Sequence, residues 1–195
     1  NLSMGEGGAI LIRDEKYIEE AEIIREKGTN RSKYYRGLVD KYRWMNYGSS
    51  YLPSDMNAAY LWAQLQLADE ITKARLIRWE QYNTLLQPLK DRGILELPTI
   101  PEGCTHNGHM YYAKAKDVQE RTELLNFLKA NGVWSVFHYV PLHSAPAGMK
   151  FGVFHGEDVY TTKESERLFR LPMYYTLTES DVNYVVSKVK EFYHV

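Results

Sequence analysis

Cysteine is almost absent from this chain: Cys104 stands alone, so no disulfide can form within its 195 residues and no paired-cysteine zinc motif exists. No apolar run approaches the roughly 20 residues that a membrane helix requires, and no stretch has a signal-peptide pattern. Charge of one sign is missing too. Lys and Arg number 24 against 25 Asp and Glu, for a formal net charge of -1, and the charges are well mixed. That leaves no electrostatic footprint for nucleic acid or an anionic membrane. The chain therefore reads as soluble and cytoplasmic, with neither nucleic acid nor membrane as a partner. There is no His-Glu-x-x-His motif and no Asp-rich calcium loop, so the six histidines imply no metal. A Gly-x-Ser-x-Gly nucleophile elbow is also lacking.

What the chain has in plenty is tyrosine, 16 residues whose apolar rings and hydroxyl donors suit interfaces and sugar or nucleotide sites as well as core edges. Its opening, from Asn1 through Gly5-Glu6-Gly7-Gly8-Ala9, is a glycine-rich turn. The apolar run Ala9–Ile12 that follows predicts a buried strand. A turn and strand at the very start implies the back half of a larger protein. A helix is expected from about Glu15 to Lys27, with Tyr17, Ile18, Ala21 and Ile24 at helical spacing and Gly28 as its stop.

Residues 29–53 are polar and aromatic without a period, which predicts a long functional loop. Ser54 is a helix cap, and the helix it starts is expected to continue to about Leu86, before Pro88, spanning roughly 45 to 50 Å. The two prolines of Gly93–Pro101 mark a boundary. Beyond it the pattern predicts a strand at Met110–Lys114, a helix at Arg121–Lys129 and a strand at Val133–Val140. A short helix at about Thr162–Phe169 follows, and a last helix from the Thr178–Asp181 cap carries Val182, Val185, Val186 and Val189 inward. These elements form a small α+β unit.

Two glycine-containing stretches are ambiguous alone. Gly5-Glu6-Gly7-Gly8 lacks the spacing of either common phosphate loop and reads as a tight turn. Gly48-Ser49-Ser50 before the Ser54 helix offers hydroxyls to a phosphate, or merely turn and cap residues.

Taken in order, the opening Asn1…Gly5-Glu6-Gly7-Gly8-Ala9, Gly48–Asp55 with Asn57-Ala58-Ala59, Asn107-Gly108-His109-Met110-Tyr111 and His138-Tyr139-Val140-Pro141-Leu142-His143 resemble the sugar aminotransferases of the DegT/DnrJ/EryC1/StrS family. The resemblance runs along essentially the whole chain. It implies an α/β fold: the C-terminal part of a fold-type I pyridoxal-phosphate-dependent transferase. Residues 1–53 would end the large cofactor-binding domain, 54–92 would form a long connecting helix, and 93–195 a small C-terminal α+β domain. It also implies transfer of an amino group, with L-glutamate as donor, to the C4 keto group of dTDP-4-keto-6-deoxy-D-glucose, for cell-surface polysaccharide or antigen synthesis.

By the same resemblance, the lysine that carries pyridoxal 5'-phosphate directly precedes Asn1, so no catalytic residue lies in this chain. Asn1 and Ser50 would contact the cofactor, Ser50 standing where the family usually has an asparagine that reaches into the neighbouring subunit of a homodimer. Leu52 replaces a common arginine. Lys33, Trp44, Tyr51, His109, His138, Tyr139 and His143 would lie near the nucleotide sugar. Two other readings are a relative with histidine in place of the lysine, deoxygenating at C3, and a non-catalytic C-terminal binding module.

Overall fold

The computed structural model describes residues 1–195, which form two compact units: Leu2–Ala68, and Asp69–Val195 together with Asn1. No helix is long and apolar enough to cross a membrane.

In the unit of residues 2–68, Ala9–Ile12 is not a strand, and Leu11 is 96% exposed. A strand is stable only in a hydrogen-bonded ladder, and this unit contains no other strand to supply one. Asp14 caps a 3-10 turn, Glu15–Tyr17, by accepting the Lys16 amide at 3.2 Å. The helix α1, Ile18–Arg25, follows. It ends as Lys27 and Gly28 both enter the left-handed region. A one-turn helix α2, Arg31–Tyr35, comes next. The expected loop is thus partly ordered by its backbone: residues 44–51 run back antiparallel along 24–29. The Lys27 amide donates to the Ser49 carbonyl at 3.0 Å, the Ser49 amide to Ile24 at 2.9 Å and the Met45 amide to Gly28 at 2.7 Å. Burial would raise the Glu26 carboxyl, but hydrogen bonds from the Ser32 hydroxyl and amide, with Arg25 beside them, hold it below the usual carboxylate range.

The single long helix expected from Ser54 is two. Ser54 does cap it, accepting the Asn57 amide at 3.2 Å, but α3 spans Asp55–Leu65 and a separate α4 spans Ala68–Asp91. The break is a tightened turn in which the Leu67 amide donates to Gln64, and Asp69 and Glu70 follow in the first turn of α4, where carboxylates favour a helix start. Nor does Pro88 end α4. Leu86 and Leu89 are both buried, and their packing outweighs the backbone bond that a proline removes.

The unit of residues 69–195 holds the core. Its elements after α4 are β1 (Tyr111–Lys114), α5 (Val118–Ala130), β2 (Val136–Phe137), α6 (Pro146–Phe151), α7 (Thr161–Arg167), β3 (Leu168–Leu171) and α8 (Glu179–Phe192). The sheet is antiparallel in the order β1-β3-β2. Its central strand was expected to be helix through Phe169; the helix stops at Arg167, and Leu168–Leu171 pair with Tyr111–Lys114 on one side and with Val136 and Phe137 on the other. The strand expected over Val133–Val140 shrinks to two residues, because only two positions of the four-residue β3 face it.

Residues 93–101, taken above as a boundary, run through this unit: Leu95 and Leu97 are buried in its core, and Glu96 exchanges two backbone hydrogen bonds with Lys114, at 2.9 and 3.1 Å. The prolines bend this segment without separating it. On α8 the reading holds in detail. Thr178 and Asp181 form a reciprocal capping box, and Val182, Val185, Val186 and Val189 are all buried.

Candidate functional site

The candidate residues of the unit 2–68 lie on or beside the returning segment. Trp44, 77% exposed, bridges Thr29, while Ser50 bridges Glu26 and Tyr51 follows it, exposed. Ser50 makes no side-chain hydrogen bond within the chain, so its hydroxyl is free to serve a ligand. Lys33, on α2, is partly committed to an ion pair with Glu19 on α1.

Two glycines let this segment approach so closely. A Cβ on Gly48 would lie 2.1 Å from the Gly28 nitrogen and 2.7 Å from the Ile24 oxygen, and one on Gly28 would lie 1.8 Å from the Asn46 oxygen. These are backbone atoms that cannot swing aside. Gly48→Ala is therefore expected to lift residues 44–51 off α1. Overpacking of this kind costs about 1–3 kcal/mol, so exchange of the Lys27, Ser49 and Tyr51 amides should accelerate roughly tenfold to hundredfold. Gly8→Ala, with open space around the new methyl, should leave the same amides unchanged, and equal protection in both variants would refute the close approach.

The second cluster is in the unit 69–195 and begins with Arg75. Helix α4 buries a stripe at Ile71, Arg75, Trp79, Tyr82, Leu86 and Leu89. The arginine in that stripe is 6% exposed. Its Nε donates to the Gly108 carbonyl at 3.0 Å, and its Nη2 donates to the carbonyls of His109 and of Met173. Burial pushes its pKa down from the usual guanidinium range. It thus clamps the segment carrying His109, where Gly108 sits in the left-handed region against the Arg75 backbone. Asn1, grouped with this unit, donates to the Asn107 carbonyl at 2.7 Å and lies 3.1 Å from His109 Nδ1 through its own side-chain oxygen.

The sheet brings His138 and Arg170 to the same neighbourhood. Residues that pair across an antiparallel ladder share a face, and alternate residues return to it. Arg170 pairs with Tyr112 and with Val136, and its guanidinium lies 5.6 Å from the centre of the Tyr139 ring, on which the His138 ring stacks. Burial lowers the His138 pKa, helped by the positive charge of Arg170 and the nearby His109; burial also lowers that of His109, helped by neighbouring positive charge including Arg75 and Arg170. Both shifts favour the neutral imidazole, which offers one donor and one acceptor. With Tyr139 and Arg170 the two histidines make a polar surface carrying one cation, which can bind and orient a ligand bearing oxygens. His143 has partners of its own. Its Nε2 pairs with Asp158 Oδ2 at 2.9 Å, and Asp158 also accepts the Thr162 amide and hydroxyl. The Thr162 bonds first, and then His143, hold that carboxyl below its usual range.

Arg75 and Arg170 were not among the candidates read from the sequence, yet both carry a signal. Arg75 is the one charged residue in an apolar stripe of helical period, and Arg170 alternates with Phe169 and Leu171. A separate lattice of Lys114, Glu96, Arg167 and Glu164 borders a cavity of about 460 Å³. Its charges match one another, which gives it the character of a tie between α7, β1 and residues 93–99.

The pattern of the DegT/DnrJ/EryC1/StrS aminotransferase family matches residues 1–190. The chain is 30% identical over 190 residues to the pleiotropic regulatory protein of Geobacillus stearothermophilus, across 97% of this chain and 48% of that protein. It is 22% identical over 197 residues to dTDP-4-dehydro-2,3,6-trideoxy-D-glucose 4-aminotransferase of Saccharopolyspora spinosa, across 97% of this chain and 49% of that one. The crystal structure of the sugar aminotransferase CalS13 from Micromonospora echinospora superposes with a TM-score of 0.77 at 19% identity, covering 97% of this chain and 48% of that structure. That likeness shows the shared α/β fold. The chain spans about half the length of the curated relatives it matches.

Proposed function

The chain belongs to the DegT/DnrJ/EryC1/StrS aminotransferase family, and from that premise we propose that it forms part of a pyridoxal 5'-phosphate-dependent enzyme that aminates the C4 keto group of dTDP-4-keto-6-deoxy-D-glucose, with L-glutamate as donor. The family match over residues 1–190 supports the amino-transfer part of the reading, and the resemblance at Gly48–Asp55 and Phe137–His143 supports the choice of sugar. The product would be a 4-amino-4,6-dideoxy nucleotide sugar for cell-surface polysaccharide, made by a cytoplasmic homodimer whose sites are shared between subunits.

The residues present fit the phosphate end of that cofactor. Ser50 is exposed, its hydroxyl has no partner in the chain, and its backbone is fixed by the ladder to residues 24–29. Asn1, next to the lysine that the resemblance places before it, would contact the cofactor of its own subunit, and Ser50 that of the neighbouring subunit. Bound there, pyridoxal 5'-phosphate would supply a carrier for the amino group and an electron sink. The chain's own part is binding. Lys33, Trp44, Tyr51, His109, His138 and Tyr139 would contact the nucleotide sugar, and His143 would act through the segment it ties to Asp158.

The test is to incubate the full-length protein with pyridoxal 5'-phosphate, L-glutamate and dTDP-4-keto-6-deoxy-D-glucose. Equal amounts of 2-oxoglutarate and the dTDP-linked 4-amino sugar are expected. Loss of the C3 hydroxyl in place of amination, or no turnover of the dTDP 4-keto sugar, would overturn the reading.

A further inference from the structure

We propose that Arg170 binds the diphosphate of the nucleotide sugar, with His138 donating to the same oxyanion; this rests on the functional reading above. Arg170 sits in the middle strand of the sheet, between Tyr112 and Val136, so its backbone is among the most rigidly held positions in its unit. Its guanidinium faces the Tyr139 ring at 5.6 Å but is otherwise uncommitted. It makes no ion pair and no hydrogen bond within the chain, and its buried Nε has no partner. The His138 Nδ1 is buried and partnerless in the same way. Buried polar atoms are normally satisfied, and two orphaned nitrogens on neighbouring groups point to a ligand that completes them.

The contrast with nearby arginines sharpens the assignment. Arg167, three residues earlier, spends its guanidinium on Glu96, Glu164 and the Ala115 carbonyl. Arg121 also has an orphaned Nε, but it lies over Phe137, whose ladder partner is Phe169, and so belongs to the opposite face. Only Arg170 combines a free fork with imidazole and tyrosine neighbours.

The ligand chemistry follows from the donors. A planar guanidinium matches an oxyanion bidentately, and no carboxylate of the chain pairs with it. A lone carboxylate would be saturated by that fork. A diphosphate has oxygens to spare, and these would engage His138 and the adjoining His109 and Tyr139. A neutral imidazole carries one N–H, which His138 Nδ1 can present.

The experiment uses the full-length protein and the variants Arg170→Gln and Arg170→Lys, with urea unfolding to establish that they fold. Affinity for thymidine diphosphate is measured by calorimetry, and KM is measured separately for the nucleotide sugar and for L-glutamate. Arg170→Gln is expected to weaken thymidine diphosphate about ten- to hundredfold, the range for losing charge-assisted hydrogen bonds. It should raise the nucleotide-sugar KM in parallel and leave the glutamate KM unchanged. Arg170→Lys should recover only part, since a point charge replaces a fork. Unchanged thymidine diphosphate affinity in Arg170→Gln overturns the proposal, and so does a rise confined to the glutamate KM, which would assign Arg170 to the donor carboxylate. Binding is read without turnover, so the two readings fail separately. Amination with an Arg170-independent diphosphate sinks this inference alone. Arg170-dependent binding without amination sinks the functional reading alone.

Discussion

Arg75→Met should destabilise the unit 69–195 by about 2–4 kcal/mol, read as a lower urea midpoint at unchanged slope. Methionine keeps most of the apolar stem but none of the donors. Three carbonyls, those of Gly108, His109 and Met173, would lose their partner at once. Hydrogen bonds to a charged donor contribute about 1.5–3 kcal/mol each, and some of the freed carbonyls will regain water. The three acceptors come from two distant stretches of the chain, so the loss should also loosen the segment that presents His109. Arg75→Lys should fall between the two, because an ammonium cannot span three acceptors with a rigid fork. If Arg75 only filled space, methionine would be tolerated, and an unchanged midpoint would show that.

Phe169→Ala is expected to cost about 3–5 kcal/mol, the range for deleting a fully buried ring, because Phe169 is 0% exposed at the centre of the sheet. Its neighbour should behave oppositely. Arg170 points to the other face and makes no hydrogen bond or ion pair in the chain, so Arg170→Ala should cost only about 0.5–1 kcal/mol, from its contact with the Tyr139 ring and the packing of its stem. Denaturant midpoints of the two variants check both numbers. A reversed order would mean that the strand is slipped by one residue, which exchanges the two faces.

This pair also shows where sequence pattern stops being informative. Leu168-Phe169-Arg170-Leu171 is only four residues long, and directly follows the helical residues of α7. Four residues contain too little alternation to separate a strand from the last turn of a helix. What makes them a strand is the presence of β1 and β2 on either side, and that information lies some 30 to 60 positions away. Ala9–Ile12 is the converse case, a good local strand pattern with no ladder to join. The long helix failed for a third reason: apolar periodicity continues across Gln66 and Leu67, so the tightened turn between α3 and α4 leaves little trace in it.

The candidate site divides the same way. His109, His138 and Tyr139 stand out in the sequence because they sit in motifs, and so does Ser50. Arg170 and Arg75 do not, because their meaning depends on what faces them. Arg167 and Arg170 are identical as residues, and only the surrounding chains make one a structural tie and the other a free donor.

By itself, then, the sequence determined the features that local chemistry controls: the Ser54 and Thr178 caps, the valine stripe of α8, the family motifs and the exclusion of disulfides. A cap or a stripe is complete within one or two helical turns. The tertiary structure alone decided the central strand, the division of the long helix, the clamp made by Arg75 and the freedom of Arg170. Each of these depends on groups far apart in the chain, and a ladder, a buried fork or an orphaned donor exists only once those groups have been brought within hydrogen-bonding distance.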